Sequence, residues 1–308
     1  MAILFYSESD ARPWQAAFAR EIPALPFRIW PDSGAPEDVR YALVWKPPAG
    51  FFAQFPNLKA VLALGAGVDP IPRDPNYPRG VPLLRLVDAG FAQQMAEYAA
   101  YGVLRFQRRM AEYEESQFGA QWMPLAPRFA RGCTVGVLGL GVIGSVVAKR
   151  LAQAGYPTAG WARTARQMQG VEVFSGATGL RLLLKRSLVA INVLPLTPET
   201  ENLFDAAAFA DMPRGSFLVN IGRGEHVVDA DLVAALNAGQ LEGAMLDVFR
   251  DEPLARSHPF WRHPKIVVTP HVAAPTIAAE VQAQIIENIR RMERGEAPIG
   301  QVDLARGY

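Results

Sequence analysis

Residues 134–154 read TVGVLGLGVIGSVVAKRLAQA. TVGVLGL is an apolar run of strand length, and VIGSVVAKRLAQA carries its apolar residues at helical spacing. Gly139, Gly141 and Gly144 fall at the turn between them in GxGxxG spacing. The first glycine permits a tight turn, the second lets a diphosphate approach the backbone, and the third permits close helix packing, while the helix N-terminus favours an anion. Such glycines can be mere turn residues. With a strand before and a helix after, a dinucleotide loop is the better reading, with an S-adenosylmethionine site as a minor competitor.

Downstream, strand-like runs recur near residues 160, 172, 190, 217, 245 and 267, separated by helical segments, which is the pattern of a doubly wound sheet. Upstream, AILFYS, FRIW, ALVWK, KAVLAL and PLLRL punctuate the first ninety residues with α/β patterning. A proline-free helical pattern runs from Ala89 to Met110, and Gln117–Arg131 reads as a loop or linker. The tail Thr276–Arg294 is again helical, with no partner strand after it. If it packs back on the first unit, that domain is discontinuous: 1–95 with 277–308, around a central domain of 96–276, and helices near 90–110 and after 275 cross between the two.

A chain of 308 residues, half of them apolar, can bury a large core. Its net charge of +1 and lack of a Lys/Arg block give no general attraction to nucleic acid or anionic membrane, so the expected partner is a small molecule. Cys133 is the only cysteine, which excludes an internal disulfide and fits a reducing compartment. MAILFYSESD reads as no signal peptide, and no apolar run approaches the length of a membrane span. The expectation is a soluble, cytoplasmic protein.

Three polar residues follow successive strand-like runs: Arg223 after SFLVNI, Glu252 after AMLDVF and His271 after KIVVTP. Ligand crevices of open α/β sheets lie at the carboxyl ends of the strands. An arginine can grip a carboxylate through two parallel N–H bonds, a histidine can pass a proton near neutral pH, and a carboxylate can orient that histidine and favour its charged form. Singly they read as a surface guanidinium, a turn residue before Pro253 and a core histidine. In this order after successive strands they suit reduction of a 2-keto acid. His226, His258 and His263 read as structural, and none has metal-ligand spacing with another ligand, so no metal is expected.

The strand after the glycine loop discriminates between cofactors. An NAD site usually ends it with an acid that binds the ribose hydroxyls, whereas PTAGWARTARQ has no Asp or Glu before Glu172. Arg163 takes that place, with Thr164 beside it and Arg166 nearby, and can bind the extra phosphate of NADP. NADPH (NADP+) is therefore the expected cofactor and NADH a weaker one. The plain alternative is an ordinary solvated loop.

LGAGVD, GLGVIG, INVLPLTPET, NIGRGEHVVDADLVAAL, GAMLDVFRDEPL and TPHVAA, in this order, resemble the D-isomer-specific 2-hydroxyacid dehydrogenases over nearly the whole chain. VWKPP around Trp45, WARTAR and GEHVVD look like that family's glyoxylate/hydroxypyruvate reductase A type; GEHVVD has one residue more between Gly224 and Asp229 than the commoner RGxxVD. The resemblance implies two doubly wound α/β domains, a Rossmann-type NADP-binding domain and a flavodoxin-like substrate domain, with the active site in the cleft and a homodimer joined chiefly through the cofactor domains. It implies cofactor contacts from Gly139, Gly141, Val142, Ile143, Gly144, Arg163, Thr164, Arg166, Leu194, Pro195, Thr200, Ile221, Gly222 and Asp247. Asp247 would lie beside the nicotinamide carboxamide, although its local sequence suits a cap or turn equally. Substrate contacts would come from Trp45, the amides of Ala66, Gly67 and Val68, and Arg223. The glycines of LGAGVD also suit a plain tight turn, and Trp45 also suits the core. Trp122 falls where the family makes intersubunit contacts and could reach a neighbouring active site.

The chemistry expected is reduction of glyoxylate to glycolate or hydroxypyruvate to D-glycerate. Arg223 would bind the carboxylate and polarise the keto oxygen, NADPH would deliver hydride to the carbonyl carbon, and His271, oriented by Glu252, would supply the proton. Reduction needs the imidazolium, so activity would fall as rising pH removes its proton. Two alternatives stay open on sequence: a reductase of bulkier 2-keto acids such as phenylpyruvate, and an NADP(H)-sensing protein resembling transcriptional corepressors.

Overall fold

The computed structural model describes all of residues 1–308 except Pro70, Arg73 and Tyr308. The chain divides into two compact units, Met1–Gly90 with Thr276–Tyr308, and Phe91–Pro275.

The first unit holds a five-stranded parallel sheet of β1 (Ala2–Tyr6), β2 (Phe27–Ile29), β3 (Val39–Val44), β4 (Ala60–Ala63) and β5 (Leu83–Leu84), in the order β2-β1-β3-β4-β5. That is the flavodoxin-like order, and its five strands are the five apolar runs read in the sequence. Helix α1 (Arg12–Glu21) buries Trp14, Ala17 and Phe18, an i, i+3, i+4 stripe, and rings of Trp14 and Phe18 pack with Phe5 and Phe27. The tail helix here buries Val281, Ile285, Ile286 and Ile289 along one face. Its Arg290 donates to the carbonyl and carboxylate of Glu21, both at 2.9 Å, and its Glu293 accepts from Tyr41 Oη at 2.5 Å and Lys59 Nζ at 2.8 Å.

In the second unit, α2 (Phe91–Gln107) and α3 (Met110–Phe118) precede a seven-stranded sheet. Its strands are β6 (Val135–Leu138), β7 (Thr158–Ala162), β8 (Glu172–Ser175), β9 (Val189–Asn192), β10 (Ser216–Asn220), β11 (Leu241–Leu246) and β12 (Ile266–Val268). All run parallel in the order β12-β11-β10-β9-β6-β7-β8. The order reverses between β6 and β9, which is the switch point where doubly wound sheets open a crevice. Helices α4 (Val142–Gln153), α5 (Gly176–Arg186), α6 (Ala206–Asp211) and α7 (Asp229–Asn237) complete the layers. One core joins α2 and α4 to one face of the sheet through Ala96, Ala99, Val103, Val147, Ala148 and Leu151; the other joins α5, α6 and α7 to the opposite face through Leu183, Leu184, Phe209, Leu232 and Leu236. Gly102 brings α2 close, since a Cβ there would stand 2.9 Å from Val219 Cγ2.

Two expectations about connections need correction. The helical pattern 89–110 is broken at Arg109, which is left-handed (φ 56°), and α3 then runs to Phe118, where a loop was expected from Gln117. α3 buries no residue, so it shows no apolar period to read. The strands are not all separated by helices: 163–171 joins β7 to β8 through turns, and only a 3-10 turn, Pro259–Arg262, lies between β11 and β12. No helix among the described residues is long and apolar enough to cross a membrane.

Candidate active site

The glycine loop leaves β6 and enters α4 beside the end of β9. Gly139 has φ +103°, a conformation L side chains rarely adopt, and a Cβ there would lie 3.1 Å from the Val193 carbonyl oxygen. At Gly144 a Cβ would stand 1.8 Å from the Gly139 oxygen, so only hydrogen lets the helix close on the turn. Gly141 differs: nothing lies within 4 Å of its Cβ position, and Val142 begins the helix immediately after it. A bare backbone before a free helix N-terminus suits a diphosphate, and Val142 and Ile143 occupy that first turn. Arg163 and Thr164 follow the end of β7 and are exposed, as is Arg166, whose guanidinium reaches back to the Leu140 carbonyl. Glu199, its carboxyl held below the usual range chiefly by the Thr197 side chain, also feels the Arg163 charge.

At the ends of β9 and β10 a buried polar network carries Arg223. Asn192 Nδ2 donates to Asn220 Oδ1 at 2.9 Å and to His226 Nδ1 at 2.7 Å, and its Oδ1 accepts the Leu194 amide at 3.2 Å. Asn220 Oδ1 accepts the Gly222 amide at 3.2 Å, and its Nδ2 donates to the Arg223 carbonyl at 2.9 Å. Pro195 O accepts from Thr200 Oγ1 at 2.8 Å. Ile221 is buried, and Arg223 is half-buried with Nη1 donating to Gly222 O at 2.7 Å. Gly224 lies so close to the next loop that a Cβ would meet Phe249 C at 1.9 Å.

That next loop follows β11 and leads to the acid and the imidazole. Glu252 Oε1 accepts the Phe249 amide at 3.2 Å, while Oε2 stands 2.9 Å from His271 Nδ1. His271 follows β12 with φ 55°. Asp247, buried at the end of β11, accepts Thr269 Oγ1–H (2.6 Å) and the Val272 amide (2.8 Å) on Oδ1, and the Ala273 amide (2.8 Å) on Oδ2. Tyr98 Oη from α2 stands 2.5 Å from Thr269 Oγ1, and burial pushes the pKa of that phenol above its usual range. Van der Waals contact and hydrogen bonds thus run from Gly224 through Phe249 and Glu252 to His271.

Arg223, Glu252 and His271 therefore follow three adjacent strands on the edge that also bears the glycine loop. With strands about 4.8 Å apart, the β10 and β12 ends lie about 10 Å from each other. A guanidinium and a carboxylate-paired imidazole at this spacing can bind an anion and pass a proton to a group beside it. Asn192, Asn220, Tyr98 and Thr269 also belong to this edge. Sequence reading did not single them out, because an Asn or Thr at a strand end carries no motif until its partners on other strands are known.

Trp45 and residues 66–68 lie in the first unit, after β3 and β4. Trp45 is partly exposed, and its ring lies over Gly65, where a Cβ would meet Cζ3 at 2.3 Å. Ala66 and Gly67 are half-buried and Val68 is buried. Trp122, in the loop after α3, is fully exposed. Among the described residues no group of three or more His, Cys, Asp or Glu is arranged to hold a metal ion.

Residues 101–273 match the family described as D-isomer specific 2-hydroxyacid dehydrogenase, NAD binding domain. The chain belongs to the D-isomer-specific 2-hydroxyacid dehydrogenases. Within this enzyme family it is of the glyoxylate/hydroxypyruvate reductase A type. It is 44% identical, over 100% of both chains, to glyoxylate/hydroxypyruvate reductase A of Serratia proteamaculans. Among solved structures, a D-isomer specific 2-hydroxyacid dehydrogenase from Xanthobacter autotrophicus Py2, in complex with NADPH and MES, is similar at TM-score 0.95 and 44% identity, covering 100% of this chain and 99% of that one. An NADPH-dependent glyoxylate/hydroxypyruvate reductase from Sinorhizobium meliloti, in complex with NADP and sulfate, is similar at TM-score 0.92 and 34% identity, covering 100% of both. The expected doubly wound α/β fold is the one observed.

Proposed function

We propose that this dehydrogenase reduces glyoxylate to glycolate and hydroxypyruvate to D-glycerate, with NADPH as its cofactor. The observation that carries the reading is the 2.9 Å contact between Glu252 Oε2 and His271 Nδ1 on the sheet edge that bears the glycine loop and Arg223. A carboxylate on Nδ1 holds the ring in place and leaves Nε2 to present a proton. The relatives named above, two of them solved with NADPH or NADP, support the choice of cofactor and substrate.

The open space at Gly141 and the helix start at Val142 fit a dinucleotide diphosphate, with Ile143, Leu194, Pro195, Thr200, Ile221 and Gly222 along its path. Arg163, Thr164 and Arg166 would hold the 2'-phosphate, which favours NADPH over NADH. When bound, NADPH supplies the hydride. Arg223 would grip the keto-acid carboxylate and polarise the neighbouring oxygen, and the amides of Ala66, Gly67 and Val68, with Trp45, are proposed as further substrate contacts. His271 gives its proton to that oxygen, and Glu252 steadies the ring as the charge leaves. Assembly as a homodimer is part of the proposal, and the exposed Phe118, Trp122, Met123 and Phe129 provide apolar surface for it.

Loss of NADPH absorbance on adding glyoxylate or hydroxypyruvate tests the reading. We expect turnover with both, faster with NADPH than with NADH. Faster turnover of phenylpyruvate would reassign the substrate to bulkier acids, and no turnover across a panel of 2-keto acids would replace catalysis with cofactor sensing.

A further inference from the structure

We infer that His226 is a positioning residue for Arg223, acting as a neutral ring protonated on Nε2; the inference rests on the function proposed above. The ring is completely buried. Its Nδ1 faces two N–H donors, the Arg223 backbone amide at 3.2 Å and Asn192 Nδ2 at 2.7 Å. Two donors require a lone pair, which puts the proton on Nε2. Nε2 stands 3.2 Å from the Pro195 carbonyl oxygen, an acceptor. The ring therefore ties the end of β10, where Arg223 sits, to the residues after β9.

The remaining bonds close the network around the same residue. Arg223 offers its N–H to His226 and its C=O to Asn220 Nδ2, so both backbone groups of the proposed carboxylate-binding residue are held by buried side chains. Asn192 Nδ2 spends one hydrogen on His226 and the other on Asn220, so the two asparagines and the imidazole form one unit with its polar atoms matched donor to acceptor. The long RGEHVVD segment supplies the ring by folding Gly224–His226 into a 3-10 turn, whose end is anchored by the Phe204 amide on His226 O at 2.8 Å. Gly224, pressed against Phe249 and Arg250, allows that turn to seat. Arg223 is thereby fixed in extended backbone (φ −142°, ψ 150°) with its side chain leaving the strand end.

The test compares His226→Gln with His226→Asn in the full-length protein. Glutamine places a donor near the Nε2 position and removes the acceptor at Nδ1; asparagine keeps an acceptor there and gives up the donor to Pro195. For His226→Gln we expect the KM for glyoxylate to rise about tenfold or more, with kcat less affected and NADPH affinity nearly unchanged. For His226→Asn we expect KM within about threefold of wild type and the larger loss in NADPH affinity, because Leu194–Pro195 loses its tie. Equal KM values for both variants, with nothing but lowered melting temperatures, would overturn the inference. Nitrogen-15 NMR of labelled histidine, with the His226 signal assigned by its loss in His226→Asn, gives a readout independent of turnover. A proton on Nδ1 at neutral pH would overturn the inference even if the enzyme reduces glyoxylate. A wild-type protein with the Nε2 tautomer but no keto-acid turnover would refute the proposed function, and the positioning role with it, while the proton assignment stood.

Discussion

The backbone amide of His271 is tied to the carbonyl of Asp247 at 2.9 Å, and the Asp247 carboxylate takes the amides of the next two residues at 2.8 Å each. This matters because His271 has φ 55°, a region costing a residue with a side chain about 1–2 kcal/mol. The buried carboxylate offsets that cost by capping the turn. Asp247→Asn keeps the shape but turns an amide NH2 toward a backbone donor. We expect a stability loss of about 1–3 kcal/mol and a fall in kcat as the His271 turn loosens. Thermal melts and steady-state kinetics on the variant measure both. Full stability with normal kcat would show that the turn holds itself.

The Glu252–His271 pair makes a prediction in turnover. Reduction needs a proton from His271, and the carboxylate on Nδ1 fixes the ring that carries it. His271→Gln should abolish most turnover while NADPH binding persists. Glu252→Ala should lower kcat by about tenfold or more with NADPH affinity nearly unchanged, because the ring loses the acceptor that holds its Nδ1 side. Steady-state kinetics and fluorescence titration with NADPH check both variants, and a Glu252→Ala enzyme with wild-type kcat would exclude Glu252 from orienting His271.

Two glycines of one loop should respond differently to the same methyl group. Gly141 has φ −72° and open space at its Cβ position, so Gly141→Ala should leave the melting temperature of the cofactor-free protein unchanged and weaken NADPH binding about tenfold or more. Gly144→Ala drives a Cβ into the Gly139 oxygen at 1.8 Å and should lower both stability and affinity. Melting curves without cofactor, set beside fluorescence titration with NADPH, separate the two. A stable Gly141→Ala protein with wild-type affinity would remove the diphosphate from this loop.

How much of this was readable beforehand depended on whether a feature was local in the chain. The parallel strands appear where apolar runs such as KAVLAL and AMLDVF stand between turns, since burial on both faces demands continuous apolar residues. GLGVIG was equally plain, because the strand, the turn and the helix are contiguous. α3 was not readable, as a helix that buries nothing needs no apolar stripe. The support of the site was hidden for a different reason. His226 meets Asn192 across 34 positions and Asp247 meets Ala273 across 26, and such pairings come from sheet order, which no short motif encodes.

Cofactor choice should be movable at the end of β7. Arg163 stands there where an acid would select the free ribose, and its exposed guanidinium is proposed to bind the 2'-phosphate. Arg163→Ala should reduce the ratio of kcat/KM with NADPH to that with NADH, mainly through the KM for NADPH. Measuring that ratio at low and moderate salt is informative, since an ionic contact weakens as salt rises. An unchanged ratio would take the phosphate away from Arg163.

Acid sensitivity should have an identifiable source in the first unit. Lys59 first, and Tyr41 second, hold the Glu293 carboxyl below the usual carboxylate range through hydrogen bonds at 2.8 and 2.5 Å. A carboxyl with a depressed folded-state pKa contributes stability above its unfolded value, about 4.3, and loses that contribution as pH falls through the folded value. Glu293→Gln can still accept the Tyr41 hydroxyl but cannot pair with the ammonium. At about a third exposed, the carboxylate is screened by solvent, so the variant should be less stable at neutral pH by about 0.5–1 kcal/mol. The gap should shrink as pH falls below the ordinary carboxylate range and through the lowered folded value, where the folded wild type takes up its proton. Urea midpoints for the two proteins across that range measure the gap, and one that stayed constant with pH would mean that packing, and not the charge on Glu293, accounts for the loss.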